Sequence, residues 1–554
     1  MEKSWLKDFD EDVAKWRPNW EALYDKDMPR HFDYPDYPLK YWFKKWADEH
    51  PNKPYILMGD FTMSYGEANN TACRIANALL DLGVKKGDRV AIMAPNVPQY
   101  VLSLQALFKI GAIEVPANPL YTVPELELQF KDSGSETVIV MAAFADKAIQ
   151  IMRDPNTPVK RVISFQVPGP VIEVPTGEGI YDFNQLAATA SDAEPDVEVF
   201  GDDVARLQYT GGTTGIPKGC ILTNKIIFTM AIMASNWCSC GFTSVPKEEF
   251  RTLAAIPLYH VYGFNCNINI NLNAGGTIVL VAQPTPDNLL EAIEKHKPNI
   301  WAAVPAMILG LNNHPNVAKT DVSSLKAIFS GSAPLAVEVM REFERLTGAR
   351  IQEGYGLSES TNVLSSTPAF TIRKEGSCGI PYPDTDLVVV DVETGTKVMP
   401  RGELGELIAR GPQMFKGYWN DPEETANAVR DGWFYTGDIV KMDEDGFIFI
   451  MDRKKDMIIV SGFNVYPRDV DEVLYAHPKV LEACTVGVPN LKQGESVKAY
   501  VVLKPGESLT AEEVIAYCRE RLAPYKVPSQ VEFIDELPRT SVGKPDRKAL
   551  QARG

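Results

Sequence analysis

The sequence predicts an α/β protein in which a large domain with parallel β-sheet precedes a small α+β domain. Helically spaced apolar residues at 65–83 are followed by a strand-like run at 89–95, and a second such unit covers 102–119. Because 554 residues exceed what one hydrophobic core accommodates, two or more domains are expected. Regular alternation of helix and strand favours parallel sheet, whose strand-end loops form ligand sites.

The rest of the large domain and the domain boundary are indicated by changes in pattern. Helix and strand alternate again through 277–335, whereas short strands separated by glycine and charged residues begin near Thr385 and predict a β-rich lobe. A basic run at 453–455 precedes the final α+β segment. We therefore expect two α/β subdomains and the β-rich lobe within 1–452, a hinge at 453–455 and a small carboxy-terminal domain at 456–554.

Composition excludes several classes of function. The net charge of −17 repels phosphate backbones, so nucleic-acid binding is not expected. The eight cysteines lack CxxC spacing, and the nearest pair, Cys238 and Cys240, has no second ligand pair for zinc, which predicts free thiols in a reducing compartment. The charged amino terminus and the lack of a long apolar run predict a soluble cytoplasmic protein, compatible with peripheral membrane contact and with a monomer or a homodimer.

A Gly/Thr-rich string, YTGGTTGIPKG at 209–219, follows an apolar strand and precedes a helix. Glycines allow turns that aim N–H groups at an anion, threonines add hydroxyls, and Lys218 adds positive charge, which together favour a polyphosphate cradle. The string is not a Walker loop because Pro217 precedes the lysine, and alone it is equally typical of a surface turn. The candidate phosphate ligands are Thr210, Gly211, Gly212, Thr213, Thr214, Gly215 and Lys218.

The whole string resembles the signature loop of the adenylate-forming superfamily, which includes acyl-CoA synthetases, luciferases and peptide-synthetase adenylation domains. Further motifs follow in that family's order: SGSAP at 330–334, EGYGLSES at 353–360 and WFYTGD at 433–438. The resemblance implies that they contact adenine, stack a tyrosine on the base and accept hydrogen bonds from the ribose hydroxyls. The residues so implied in the nucleotide site are Gly331, Ser332, Ala333, Glu353, Gly354, Tyr355, Gly356, Leu357, Ser358, Asp438 and Arg453.

The same resemblance implies the catalytic groups. His260 in IPLYHVYG is expected to orient the acyl carboxylate and the α-phosphate, although an isolated histidine in an apolar stretch is more often a core residue. Glu359 and Thr210 are expected to bind Mg²⁺, since a cation that bridges phosphates needs few protein oxygens. Lys544 matches the family's catalytic lysine; the family usually continues GKILR, whereas Pro545 here restricts the lysine to extended geometry.

Domain motion is also implied by the resemblance. Lys455 occupies the family's hinge position, for which the alternative interpretation is an exposed charged turn. The string SGFNVYPRDVDEVL resembles the segment that lines the coenzyme A tunnel, with Ser461, Gly462 and Phe463 as candidate contacts. We therefore expect the mobile carboxy-terminal domain to present Lys544 in one half-reaction and the coenzyme A segment in the other.

The resemblance covers essentially the whole chain and is nearest to the medium- and long-chain fatty-acid–CoA ligases. It implies an AMP-forming acyl-CoA synthetase, which adenylates a carboxylic acid with ATP and Mg²⁺ and then transfers the acyl group to coenzyme A. A medium- or long-chain fatty acid is the expected substrate, while an aryl or alicyclic acid and an adenylation enzyme serving a carrier protein are the alternatives. The candidate acyl-pocket residues are Asn236, Trp237, Tyr262, Phe264, Val304 and Met307, beside Gly331.

Overall fold

The fold is known from a computed structural model, which describes residues 4–167, 172–210, 218–240, 245–460, 463–490, 494–540 and 544–553. It confirms the predicted class, a mixed α/β protein with a large amino-terminal part and a small carboxy-terminal part. The described residues form sheets of seven, nine, five and five strands. The seven cysteines whose side chains are described are free and buried, as predicted. None of the described helices combines the length and apolar composition needed to cross a membrane.

The first α/β unit is a seven-stranded sheet. Its strands pair in parallel except for the last pair, which is antiparallel. Helix Pro98–Ile110 is buried on every face beyond its first turn because it lies in the core shared with the second sheet. The strands, in spatial order, are Ile180–Asp182, Arg161–Phe165, Thr137–Met141, Arg89–Met93, Ile113–Pro116, Val204–Thr210 and Lys218–Thr223. The other helices of this unit are Tyr65–Asp81, Val123–Ser133, Ala145–Arg153 and Phe183–Thr189.

The second α/β unit is a nine-stranded sheet with parallel central strands and antiparallel edges. In spatial order its strands are Ile380–Pro381, Ser365–Ser366, Ile351–Tyr355, Ala327–Ser330, Ile300–Ala303, Arg251–Ala254, Thr277–Leu280, Pro54–Met58 and Phe61–Ser64. Its helical segments are Leu39–Glu49, Asn224–Cys240, Val261–Gly263, the π-helical turn Phe264–Asn269, Ile270–Ala274, Pro286–His296, Pro305–Asn312 and Val337–Thr347. The motifs predicted to contact adenine lie at the carboxyl ends of strands Ala327–Ser330 and Ile351–Tyr355 of this sheet.

The β-rich lobe predicted from Thr385 onward is an antiparallel sheet. The amino-terminal helix Ser4–Glu21, which no apolar periodicity had indicated, packs on this lobe; the Phe9 ring meets Trp433 edge-on at 5.5 Å. The lobe consists of strands Asp386–Val390, Gly405–Arg410, Val429–Arg430, Trp433–Met442 and Ile448–Arg453 with helix Pro422–Ala428.

The carboxy-terminal part has its own sheet and its own apolar core. The core includes Val465, Val470, Val497 and Cys518, all buried. Its longest strand pair, Val480–Asn490 with Gly494–Leu503, is antiparallel. The other elements are strands Ile458–Val460, Phe463–Val465 and Gln530–Phe533 and helices Pro467–Tyr475, Ala511–Arg519 and Arg547–Gln551.

Candidate active site

The predicted phosphate loop closes a β-hairpin. Thr210 and Lys218 are paired across the antiparallel strands that flank the loop, so the two ends of the loop are adjacent. The predicted phosphate ligands between these ends, namely Gly211, Gly212, Thr213, Thr214 and Gly215, lie outside the described residues.

Lys218 and Glu359 are joined through Tyr418. The Lys218 ammonium forms an ion pair with Glu424 and lies 5.5 Å from the Tyr418 ring centre. The Tyr418 hydroxyl donates a 2.8 Å hydrogen bond to Oε1 of Glu359. Sequence reasoning missed Tyr418 and Glu424 because neither belongs to a quoted motif. Their one local signal is the neighbouring Gly417, whose φ of 130° marks a turn in the chain.

Segment 415–419 holds this arrangement by extending the hairpin. Trp419 donates its backbone N–H to the Gly219 carbonyl at 2.8 Å, and Lys416 donates to the Ile221 carbonyl at 3.1 Å. On the other side, Phe415 donates to the backbone carbonyl of Glu359 at 2.8 Å. The β-rich lobe thereby fixes the spacing between the predicted phosphate loop and the predicted metal ligand.

The predicted ribose carboxylate lies between a tyrosine and an arginine. Tyr355 donates a 2.5 Å hydrogen bond to Oδ2 of Asp438, and Arg453 Nε lies 3.1 Å from Oδ1. The Asp438 side chain is 4% exposed, whereas that of Arg453 is 43% exposed. The carboxylate raises the pKa of Arg453, so the guanidinium stays charged. A carboxylate has about four acceptor positions, so a diol can still bind Asp438 beside these two donors.

The segments predicted to contact adenine have close backbone packing. A Cβ at Gly331 would lie 3.2 Å from the Tyr262 ring, and a Cβ at Gly356 would lie 1.7 Å from the Asn362 carbonyl oxygen. Ser332 takes a positive φ of 70°, a conformation that costs a non-glycine residue energy and is found at functional turns. The remaining predicted residues of these segments, Ala333, Glu353, Gly354, Leu357 and Ser358, lie on the same two strand ends.

His260 is held as a neutral imidazole. Burial lowers its pKa to about 3, and the positive charges of Lys544 and Arg206 act in the same direction. Its Nδ1 accepts the backbone N–H of Tyr262 at 3.3 Å, which leaves Nε2 as the protonated nitrogen. The predicted orienting role of His260 therefore rests on hydrogen bonding, because the ring carries no charge near neutral pH.

A buried charge pair supports the strand that leads into the phosphate loop. Arg206 and Glu114 have fully buried side chains, with Nη1 2.5 Å from Oε2, and Tyr100 donates to the other carboxylate oxygen at 2.7 Å. The guanidinium also donates to the Tyr259 carbonyl at 3.1 Å and stacks 4.0 Å from the Phe264 ring centre. Arg206 thus links the loop strand to the residues on both sides of His260.

Lys544 reaches this site from the carboxy-terminal part. Burial lowers its pKa, the positive charges of Arg453 and Lys455 act in the same direction and Asp438 opposes them, which together bring the pKa to about 8. The charge of Lys544 in turn lowers the pKa of His260, so the lysine interacts electrostatically with residues of the amino-terminal part. Thr540 donates its backbone N–H to the Lys544 carbonyl at 2.8 Å, in the extended geometry expected before Pro545.

The predicted hinge and coenzyme A contacts are only partly described. Lys455 lies in the turn after strand Ile448–Arg453, and burial lowers its pKa. Ser461 and Gly462 lie outside the described residues, and Phe463 begins strand Phe463–Val465.

The candidate acyl-pocket residues divide among four environments. Tyr262 and Val304 belong to one buried apolar cluster, against which Met307 packs. Phe264 faces the Arg206 guanidinium instead, and the Trp237 ring lies at a tilt of 35° to that of Tyr382, with ring centres 4.5 Å apart, in an apolar cluster shared with the β-rich lobe. Asn236 accepts a 2.7 Å hydrogen bond from Lys247 at the helix end. The structure therefore brings Tyr262, Val304 and Met307 together.

The family is shown by sequence comparison. The AMP-binding enzyme family matches residues 43–419, and the AMP-binding enzyme C-terminal domain matches residues 469–544. A long-chain-fatty-acid–CoA ligase of Bacillus subtilis (strain 168) is 39% identical, over 96% of this chain and 97% of that protein. Another, of Haemophilus influenzae, is 35% identical over 100% of this chain and 98% of that protein.

Solved structures agree with the sequence comparison. The anthranilate CoA ligase AuaEII in complex with anthranoyl-AMP superposes with a TM-score of 0.85 at 27% identity, covering 95% of this chain and 98% of that one. The fold and the site thus define an adenylate-forming enzyme, and the chain belongs to the AMP-binding enzyme family, whose members act with ATP and coenzyme A. Within that family it is an AMP-forming acyl-CoA synthetase, an acid–thiol ligase.

Proposed function

We propose that this synthetase converts a long-chain fatty acid, ATP and coenzyme A into acyl-CoA, AMP and pyrophosphate. The observation that carries the proposal is the 3.1 Å pair of Asp438 and Arg453, to which Lys544, from the other end of the chain, lies near enough for their charges to shift its pKa. The names of the two curated relatives support the choice of acid.

Adenylation is the first step. The fatty-acid carboxylate attacks the α-phosphorus of ATP, the bond to the β-phosphate oxygen breaks, and pyrophosphate leaves. Lys544 offsets the negative charge that grows on the α-phosphate, and the Gly/Thr-rich loop with Lys218 holds the β- and γ-phosphates. Asp438 accepts the ribose hydroxyls. His260, through its Nε2–H, donates to the carboxylate or to an α-phosphate oxygen and so fixes the angle of attack.

The residues present fit a magnesium ion. Among the described residues, no cluster of three His, Cys, Asp or Glu side chains could hold a metal by itself. Mg²⁺ in nucleotide sites takes one or two carboxylates and completes its shell with phosphate oxygens and water, so Glu359 with the Thr210 hydroxyl suffices. When bound, the ion offsets charge on the phosphates. Tyr418 keeps one Glu359 oxygen oriented and leaves the other available.

Thioester formation is the second step. The coenzyme A sulfur attacks the acyl carbon of the mixed anhydride, the bond to the phosphate oxygen breaks, AMP leaves, and the thiol proton passes to solvent. We propose that the domain at 456–554 rotates about Lys455 in the hinge 453–455, which removes Lys544 from the domain at 1–452 and presents Ser461, Gly462 and Phe463 to coenzyme A. A cytoplasmic location supplies both cosubstrates and keeps the buried cysteines reduced.

The acyl chain is proposed to enter the apolar cluster of Tyr262, Val304 and Met307. Its other members include Ala231 and Ala234 on helix Asn224–Cys240 and Ala302 on strand Ile300–Ala303, so the cluster lies between helix and sheet. Each buried methylene contributes about 0.8 kcal/mol, so neighbouring chain lengths are expected to react at similar rates. An aryl acid is the second candidate, because the superposed anthranilate ligase acts on one.

The test is a product assay over a panel of acids. Purified protein with ATP, Mg²⁺ and coenzyme A is incubated with hexanoate, decanoate, palmitate, oleate, benzoate or anthranilate, and AMP and acyl-CoA are quantified by mass spectrometry. The proposal predicts equal amounts of AMP and acyl-CoA, with the highest rates for palmitate and oleate. Faster turnover of the aryl acids would identify an aryl-CoA ligase, and adenylate without any acyl-CoA would indicate carrier-protein delivery.

A further inference from the structure

Asp452 and Arg547 connect the strand before the predicted hinge with the segment that follows Lys544. Arg547 Nη1 lies 3.1 Å from Asp452 Oδ1, and Nη2 lies 2.9 Å from Asp471 Oδ2. The Asp452 side chain is 3% exposed. Burial raises the pKa of Asp452 and Arg547 opposes this shift, so the ionised carboxylate depends on its arginine.

Backbone hydrogen bonds connect Lys544 and Asp546 to Thr540 and Pro538. Asp546 donates its backbone N–H to the Pro538 carbonyl at 2.7 Å and caps helix Arg547–Gln551 with a 3.1 Å side-chain hydrogen bond from Ala549 N. Together with the Thr540 contact to the Lys544 carbonyl, these bonds fix residues on both sides of the lysine. The position of the Arg547 guanidinium therefore determines where the lysine backbone lies.

Contacts of two kinds meet at Arg547. Its pair with Asp452 crosses the hinge, whereas its pair with Asp471 lies within the carboxy-terminal part. Arg468 also makes contacts across the hinge. Its backbone N–H donates to Asp452 Oδ2 at 3.3 Å, and its Nη1 donates to the Ile450 carbonyl at 2.5 Å. A rotation about the hinge would separate the groups that cross it and would leave the Arg547–Asp471 pair intact.

Beside this cluster the two parts of the chain are not tightly packed. A cleft of about 420 Å³ separates Leu404, Lys441 and Met451 of the β-rich lobe from Tyr466 and Leu522 of the carboxy-terminal part. Apolar packing therefore does not hold the carboxy-terminal part against the lobe at this side of the hinge. The polar contacts of Asp452 and Arg468 supply that attachment.

We propose that Asp452 and Arg547 form a latch that positions Lys544 for adenylation and opens before thioester formation. The proposal rests on the two-step function proposed above, with Lys544 serving the first step. Both latch residues act through the lysine and are positioning residues. The contact of Arg547 with Asp471 lies within the carboxy-terminal part and is not part of the latch.

The half-reactions test the latch. Adenylation is measured as palmitate-dependent exchange of labelled pyrophosphate into ATP, and thioester formation as the conversion of supplied palmitoyl-AMP to palmitoyl-CoA. Asp452→Asn is expected to lower the exchange kcat by about 10- to 100-fold, the effect of losing a hydrogen bond to a charged group. The same variant is expected to keep KM for ATP and the rate of thioester formation within about threefold of the wild-type values. Arg547→Lys, which keeps the charge, is expected to restore part of the exchange lost in Arg547→Met.

Asp471→Asn is the matched control, because it changes the same guanidinium contact without crossing the hinge. It is expected to keep the exchange within about threefold of the wild-type rate. Equal loss of both half-reactions in Asp452→Asn, or equal effects of the two Asp→Asn variants, would show a merely structural role and overturn the proposal. If the wild-type enzyme shows no palmitate-dependent exchange of pyrophosphate into ATP, the result contradicts the proposed function and not the latch.

Hydrogen exchange tests the latch without any substrate. The Arg468 amide is protected by Asp452 Oδ2, so its exchange should be faster in Asp452→Asn and unchanged in Asp471→Asn. Unchanged exchange of the peptide that contains Arg468 in both variants would overturn the latch, whatever acid the enzyme uses.

Discussion

Asp438 and Arg453 lie directly opposite each other on antiparallel strands, with Arg453 Nε 3.1 Å from Asp438 Oδ1. The strand register fixes this pair independently of any ligand, and Tyr355 completes it from the strand end of the second sheet. One carboxylate thus connects the β-rich lobe with the nine-stranded sheet at the nucleotide site. The predicted pivot, Lys455, follows Arg453 by two residues. The ribose contact and the hinge therefore lie at the end of the same strand, Ile448–Arg453.

Removal of the Asp438 charge is expected to weaken ATP binding. Asp438→Asn keeps the shape but loses the ion pair with Arg453 and one strong acceptor, so KM for ATP should rise by about 10- to 100-fold. Tyr355→Phe removes only one donor and should have a smaller effect. Initial rates against ATP concentration give the result, and an unchanged KM in Asp438→Asn would exclude this carboxylate from nucleotide binding.

The charge of Lys544 is expected to set the alkaline limit of adenylation. Burial lowers its pKa to about 8, so the cationic form that stabilises the phosphates prevails below that pH and is lost above it. The kcat/KM of pyrophosphate exchange should therefore fall about tenfold per pH unit above 8. His260, with a pKa of about 3, should add no inflection between pH 5 and 8.

Lys544→Ala provides the control for this pH profile. It should abolish exchange while conversion of supplied acyl-adenylate to acyl-CoA continues. A wild-type profile that stays flat to pH 10, or equal loss of both half-reactions in the variant, would contradict the assigned role.

The Lys218–Glu424 pair is expected to compete with the triphosphate. Glu424→Gln frees the ammonium and removes a negative charge beside the phosphates, and a partly exposed pair of this kind is worth up to about 1 kcal/mol. KM for ATP should therefore fall by about two- to fivefold. Glu423→Gln, an equal change of charge on the exposed neighbouring residue, should leave KM unchanged. A higher KM in Glu424→Gln would show that the carboxylate helps to bind ATP.

Removing one member of the buried Glu114–Arg206 pair is expected to destabilise the fold more than removing both. Glu114→Ala leaves an unpaired guanidinium in the core, which should lower the free energy of unfolding by about 3–5 kcal/mol. Replacing both residues by methionine should cost much less, since no buried charge remains. Urea unfolding followed by tryptophan fluorescence measures both. Asp60→Ala, which removes an exposed partner of Lys295, is the control and should cause no measurable change.

Glu353 is expected to make stability depend on pH. Burial raises its pKa to about 7, against the opposing charges of Arg468 and Arg373. The folded protein therefore holds a proton that the unfolded chain releases near pH 4.5, and stability falls as pH rises from there to 7. Over this window the wild type should lose about 3 kcal/mol relative to Glu353→Gln. Parallel pH dependences of the two unfolding free energies would contradict this assignment.

Periodicity and the order of motifs made the class of fold predictable: the helical and strand periodicities around 65–119 correspond to helices Tyr65–Asp81 and Pro98–Ile110 and to strands Arg89–Met93 and Ile113–Pro116. Tyr355 and Asp438 were indicated as candidate site residues by the resemblance of their motifs to those of a known family. The Tyr418 and Glu424 contacts could not be predicted, because each depends on a partner distant in sequence, at Glu359 and Lys218 respectively.

Other features could not be predicted from the sequence because charged residues usually lie on the protein surface. Glu114 and Arg206 interrupt strand-like runs, yet they neutralise each other across 92 positions and are fully buried. The amino-terminal helix Ser4–Glu21 carries many charges, and its burial depends on Phe9 and Trp20, which meet partners far along the chain. Amphipathic patterning alone cannot identify a buried ion pair or a distant partner.

The most direct test of the account follows the oxygen atoms. The enzyme is supplied with palmitate labelled with ¹⁸O in both carboxylate oxygens, with ATP, Mg²⁺ and coenzyme A, and the products are weighed by mass spectrometry. Attack of the carboxylate on the α-phosphorus predicts one ¹⁸O in AMP, one in palmitoyl-CoA and none in pyrophosphate. Unlabelled AMP, or label in inorganic phosphate or pyrophosphate, would contradict an acyl-adenylate pathway.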